Sequence, residues 1–162
     1  AAGLVLAALR YHPHHLSYFN ELAGGPEHGR EHLVDSNLDW GQDLHALRDY
    51  LREHPASEPL QLAYFGSASP KLLGIEYEFP ASPQPQPGRY AISANYIAGR
   101  PHMLRDIDGR ERMVALDEFA PFRFFIPKAM MGYSIAYFEI SPEDVARYHR
   151  ARHQAMEQFG GH

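Results

Sequence analysis

The chain has 162 residues, a formal charge of −5 and no cysteine. That length is one domain with room for a sizeable core. The missing thiols exclude disulfides, thiolate metal sites and a cysteine nucleophile, and an acidic chain without a Lys/Arg cluster speaks against nucleic acid as a partner.

The run Ala1 to Leu9 is apolar apart from Gly3 and stops at Arg10. It falls well short of the roughly 20 residues that span a bilayer, and a signal peptide carries its charge before the apolar run, not after it. Composition leaves two readings open: a short buried helix, or the last turns of a transmembrane helix that begins before Ala1. Residues 11–30 mix aromatics with turn signals. Leu16, Phe19 and Leu22 or Ala23 sit at helical spacing until Gly24-Gly25-Pro26 ends the turn. Residues 32–36 predict a short strand. A helix follows from Gly41 to His54, with Leu44, Leu47 and Leu51 as its buried stripe and Tyr50 at the edge. Asp39 and Gln42 fit a capping box at its start, and Pro55 closes it.

Leu60 to Phe65 predicts a second strand, ended by Gly66-Ser67-Ala68-Ser69-Pro70, and residues 71–79 hold a helical turn. Alternate prolines make residues 80–88, PASPQPQPG, an extended surface loop. Arg89 to Ile97 alternates as a third strand, residues 100–121 read as loop plus a short helix, and Phe122 to Ile126 is an aromatic apolar run. Tyr133 to Ile140 predicts a fourth strand. Ser141 caps a last helix with Pro142 at its first position, Glu143 and Asp144 in its first turn, and Val145, Tyr148, Arg152, Met156 and Phe159 along one face. The expected fold is an α/β layered domain over residues 11–162, with a small, at least partly parallel sheet of about four strands and flanking helices.

Ligands of open α/β sheets sit outside the carboxyl ends of the strands. Three predicted strands end there in small polar groups: Asp35-Ser36-Asn37, Gly66-Ser67 and Asn95. Parallel strands would gather these on one rim, beside the DSNLDWGQD turn with the only tryptophan, Trp40. Asp35, Asn37, Asp39, Trp40, Gln42, Ser67 and Asn95 are therefore the candidate ligand or contact residues. Carboxylates and amides pair with hydroxyls, and an indole stacks on the C–H face of a pyranose, so the set suits a sugar. The free N–H groups of the following helix would favour an anion. The competing reading spends the same residues internally, with Asp39 and Gln42 as caps, Asp35 and Asn37 satisfying backbone, and Trp40 in the core.

No metal and no cofactor is expected. His12, His14 and His15 are interrupted by Pro13, and only His28 and His32 lie near, which does not match zinc spacing. The chain has no G-x-S-x-G, no P-loop and no H-E-x-x-H. Asp35 and Asp39 could reach the separation of an acid–base pair, but no neighbour poises a proton on either. No catalytic residue is assigned.

The stretch YHPHHLSYFNELAGGPEHG, followed by HLVDSNLDWGQDLHAL, resembles the C-terminal portion of bacterial polyprenyl-phosphate-dependent membrane glycosyltransferases. These are grouped with the dolichyl-phosphate-mannose protein mannosyltransferases and the aminoarabinose lipid A transferases. The residues that carry the likeness are Tyr18-Phe19-Asn20, Gly24-Gly25, Asp35-Ser36-Asn37, Asp39-Trp40-Gly41-Gln42-Asp43, Tyr64-Phe65-Gly66 and Tyr133-Ser134-Ile135. The chain departs from the pattern at Leu72-Leu73-Gly74, where an aromatic is expected before the glycine, and in its Pro-rich loop.

The resemblance implies a membrane enzyme that takes a sugar from a polyprenyl-phosphate carrier on the extracytoplasmic, periplasmic side. It makes residues 1–10 the end of a transmembrane helix. It also implies that the catalytic carboxylate lies in an early loop of the parent, outside this chain, so these residues alone do no chemistry. They would form an accessory domain resting on the membrane-embedded portion of the same parent, shaping the acceptor side and meeting a sugar or lipid-linked sugar. Phe122 to Ile126 with Met130-Met131 would then be a docking face, unless they are core. The alternative is a stand-alone carbohydrate-binding or structural module.

Overall fold

In the computed structural model of the chain, residues 43–66, 68–105, 108 and 110–159 are described. The first element among the described residues is helix α1, Leu44–Glu53, whose Leu44 and Leu47 are fully buried while Tyr50 and Leu51 sit at its half-buried edge. It ends where the His54 N–H donates to the Tyr50 carbonyl, just before Pro55, which has no N–H to continue the ladder. Asp43 occupies the N-cap but makes no side-chain cap bond; its carboxylate is used elsewhere. The predicted strand at 32–36, the Asp39–Gln42 capping box and the apolar run Ala1 to Leu9 lie outside the described residues.

Strand β1, Leu60–Ala63, is followed by a 3-10 turn, Pro70–Leu73, that stops at Gly74 with φ +72°. Strand β2 is Gly88–Ser93 and leads directly into the short helix α2, Ala94–Ile97. Strands β3, Met103–Arg105, and β4, Glu111–Met113, form an antiparallel pair of their own. A 3-10 turn, Ala120–Phe124, precedes strand β5, Ala129–Met131, strand β6, Ile135–Ile140, and helix α3, Pro142–Phe159. Among the described residues the main sheet has four strands in the order β1-β2-β6-β5, with β1 parallel to β2 and the other two pairings antiparallel. The expected α/β domain with a small, partly parallel sheet and flanking helices is the observed one.

Strand alternation divides the core between the two faces of this sheet. In register, Tyr90 pairs with Phe138 and Ile92 with Ala136, and these side chains pack with Phe119, Phe122 and Leu104. On the other face Ala91 pairs with Tyr137 and with Leu62 of β1, under Leu44 and Leu47 of α1. A strand covered on both faces has no polar side to show, which is why β2 is buried from Arg89 to Ser93.

Several expectations are corrected. The third strand stops at Ser93, because the Ala94 N–H donates to the Ser134 carbonyl and the chain turns into α2. Residues 100–121 contain the β3–β4 pair where a short helix was expected; Asp108-Gly109, between the two strands, is the hairpin signal in the sequence. Strand β5 was not anticipated, and β6 begins at Ile135, not Tyr133. The α3 start is a reciprocal capping box: Asp144 N–H donates to Ser141 Oγ at 3.1 Å, and Ser141 N–H donates to Asp144 Oδ2 at 3.0 Å. Its predicted stripe packs only as far as Tyr148; Met156 is 63% exposed. The proposed docking run is also divided: Phe122, Phe125 and Met131 are core, while Phe124 is partly exposed and Ile126 is 93% exposed. Among the described residues no helix is long and apolar enough to cross a membrane.

Candidate functional site: a polar rim at one end of the sheet

Because β1 and β2 are parallel, the segments that follow them, Tyr64-Phe65-Gly66 and Ser93-Ala94-Asn95, leave the sheet at the same end. Strand β6 runs the other way, so the β5–β6 turn, Gly132-Tyr133-Ser134, arrives at that end too. Helix α1 starts there at Asp43. Short bonds tie the four segments together. The Phe65 N–H donates to Ser93 Oγ at 2.9 Å, and the Ala94 N–H donates to the Ser134 carbonyl at 2.7 Å. The N–H groups of Tyr133 and Ser134 each donate to Asp43 Oδ2 at 3.1 Å, and Ser134 Oγ donates to the same oxygen at 2.7 Å.

Asp43 is only 1% exposed. A carboxylate so deep is tolerable only when charge-assisted bonds surround it, and the turn supplies them from two successive backbone N–H groups and a hydroxyl. Two glycines make room. Gly132 has φ +54°, and a Cβ built on it would overlap the Asp43 carboxylate. A Cβ on Gly66 would overlap the phenol end of Tyr64, which folds back over it.

Burial of polar groups is concentrated here. Of the five buried polar or charged side chains among the described residues, Asp43, Ser93, Asn95 and Ser134 belong to this rim and only Arg89 does not. Asn95 is 3% exposed, and among the described residues neither its carboxamide nitrogen nor its oxygen has a hydrogen-bond partner. Of the seven candidate contact residues it is the one placed on the rim. Asp35, Asn37, Asp39, Trp40, Gln42 and Ser67 lie outside the described residues.

The rim residues that sequence reasoning did not single out are Asp43, Ser93, Gly132 and Ser134. Asp43 closes the DWGQD stretch and Ser134 lies in Tyr133-Ser134-Ile135, so the resemblance touched both without assigning either a role. Nothing local marked Ser93, which reads as one more strand residue.

The fifth buried polar group, Arg89, lies at the opposite end of the sheet. Arg89 Nε donates to Tyr137 Oη at 2.8 Å and Nη1 to the Glu58 carbonyl at 3.0 Å. Tyr137 Oη in turn donates to Glu139 at 3.1 Å, and Glu139 pairs with Lys128. Burial raises the Tyr137 hydroxyl above its ordinary pKa, and the Lys128 ammonium holds the Glu139 carboxyl below its own. Beside it opens a groove of about 1030 Å³ lined by Arg52, Lys71, Glu58, Glu76 and Glu78 among others. Its charges are of both signs, so it selects no ligand of one sign. Among the described residues no group of three His, Asp or Glu side chains is placed to hold a metal.

Comparison of the chain with known protein families, curated proteins and solved structures finds no match to any of them.

Proposed function

We propose that this chain is an accessory extracytoplasmic domain of a membrane glycosyltransferase that takes its sugar from a lipid-phosphate carrier. The domain shapes the acceptor side and leaves the catalytic carboxylate to another part of the same parent. One observation supports this reading above the rest. Three of the short segments that carry the family resemblance, ending at Asp43, Gly66 and Ile135, meet at a single rim, although Asp43 and Tyr133 are 90 residues apart in sequence. Segments that matter only as local turns have no reason to converge.

The rim chemistry fits a contact role better than a catalytic one. Asp43 is enclosed by three donors and turned inward, so it has no open path along which to exchange a proton with a substrate. What the rim offers is a rigid, hydrogen-bonded margin at the point where residue 43 joins the DSNLDWGQ stretch. Its partner is the membrane-embedded portion of the parent, and its ligand class is a sugar or lipid-linked sugar.

The deciding measurement is the reading frame upstream of Ala1. It is expected to encode several apolar spans with an acidic residue in an early external loop. An in-frame stop immediately before Ala1 removes the proposal. Turnover of a glycoside by the purified chain would also contradict it, by placing the chemistry within these residues.

A further inference from the structure

We propose that Arg89 binds the oxyanionic end of a small zwitterionic ligand in the groove of about 1030 Å³ beside it, with the ligand's ammonium end toward the exposed acids Glu58, Glu76 and Glu78. Nothing in this site depends on the parent enzyme proposed above. Arg89 is 7% exposed, and a charge buried that far is ordinarily matched by an opposite one. Arg89 is not. Its two bonds go to neutral acceptors, the Tyr137 hydroxyl at 2.8 Å and the Glu58 carbonyl at 3.0 Å. The nearest carboxylate in that chain of bonds, Glu139, is reached only through the Tyr137 hydroxyl and is itself paired with Lys128.

A guanidinium carries five N–H donors. Nε and one N–H of Nη1 are used, which leaves the second Nη1 donor and both donors of Nη2. Among the described residues Nη2 makes no bond, yet it is not sealed from solvent, and Arg89 lines the groove. The unused edge therefore opens onto that space. Adjacent Nη1 and Nη2 donors form the fork that matches two oxygens of a carboxylate or a phosphate.

The rest of the lining sets the ligand's other end. The volume is that of a small-molecule site, and Leu60, Ile75 and Tyr77 give it a buried apolar wall. Glu58, Glu76 and Glu78 line the same groove and are exposed, and none of their carboxylates is bonded to Arg89. A simple anion would satisfy Arg89 but enter beside three carboxylates, and a simple cation would meet the buried guanidinium. A molecule with an oxyanion at one end and an ammonium at the other meets both signs with their opposites.

The experiment uses the full 162-residue chain, labelled with nitrogen-15 and followed at the Arg89 Nε–H resonance, which the bond to Tyr137 slows in exchange. Glycylglycine and 3-aminopropylphosphonate are the probes, one for each oxyanion; acetate and methylammonium are the single-sign controls. The resonance is expected to shift saturably with at least one zwitterion, at a lower concentration than with acetate. Arg89→Lys keeps the charge but loses the fork, and is expected to weaken that binding by about tenfold or more. An Arg89 resonance that ignores both zwitterions overturns the proposal without any variant having to fold; it is the result if an acid of the groove swings in to pair with Arg89. Acetate that binds as tightly as the zwitterions overturns the ligand class. An equal response to methylammonium, or undiminished binding by Arg89→Lys, removes Arg89 as the contact.

Discussion

Gly132 and Asp43 are coupled by shape, and a double-mutant cycle measures the coupling. At φ +54° Gly132 is in the left-handed region, so Gly132→Ala costs about 1 kcal/mol from the backbone alone. The new Cβ would also overlap the Asp43 carboxylate, and relief requires that group to leave its three donors. Those donors are two backbone N–H groups at 3.1 Å and a hydroxyl at 2.7 Å, all buried or partly so. Losing the acceptor costs on the order of 1 kcal/mol or more for each group left unpaired, about 3 kcal/mol together. Gly132→Ala is therefore expected to cost about 4 kcal/mol, and Asp43→Ala about 3 kcal/mol. In the Asp43→Ala background the methyl group has space, and Gly132→Ala should cost only its backbone share, about 1 kcal/mol. The cycle then returns a coupling near 3 kcal/mol. Urea unfolding of the four proteins, extrapolated to water with a common slope, reads it out. Costs that add to within about 0.5 kcal/mol would refute the packing described for the β5–β6 turn.

Three further outcomes are expected. In the aromatic run, Phe122→Ala should lose about 3 to 5 kcal/mol of stability for an emptied core position, while Ile126→Ser, at 93% exposed, should change it by less than about 0.5 kcal/mol; equal effects in urea would contradict the division of that run. Tyr137→Phe removes the hydroxyl between Arg89 and Glu139 and should cost about 1 to 3 kcal/mol, since a buried guanidinium then lacks one acceptor. At the α3 start, bonds from the Ser141 N–H and hydroxyl hold the Asp144 carboxyl below its ordinary pKa. A depressed folded pKa gives stability that is present above the unfolded value of about 3.9 and is lost as pH falls through the folded one. The gap in urea midpoint between the wild type and Asp144→Ala should therefore stay constant above about pH 5 and close below about pH 4.

What the sequence made legible was periodic and local. Leucines at positions 44 and 47 repeat at helical spacing, the run from Arg89 alternates as a strand, and Ser141-Pro142 opens a helix; each signal is complete within a few residues. Three things failed for physical reasons. Strand β5 is only three residues long, too short to show alternation. The far half of α3 carries the same spacing as its near half, but spacing reports which side would be buried, not whether a neighbour covers it; Met156 is 63% exposed. Asp43 drew no role of its own from the sequence, and its partners lie 90 and 91 residues away. No window of local sequence contains that bond. Asn95 was found as a strand-end polar group, although the strand had already ended two residues earlier.

The described motif residues turn out to be consumed by the rim's own construction. Gly66 is required by the ring of Tyr64, and Gly132 by the carboxylate of Asp43; Ser134 holds that carboxylate and, through its carbonyl, the turn after β2. Each makes the margin rigid, and none is left over for a substrate. Rigidity of this kind is what a contact surface needs, because a side chain positioned by packed neighbours binds without a further ordering cost. The same logic points away from catalysis at Asp43, since a carboxylate only 1% exposed has no open path to a substrate. Among the described residues, three of the four buried polar side chains of this rim, Asp43, Ser93 and Ser134, are thereby spent on its own geometry.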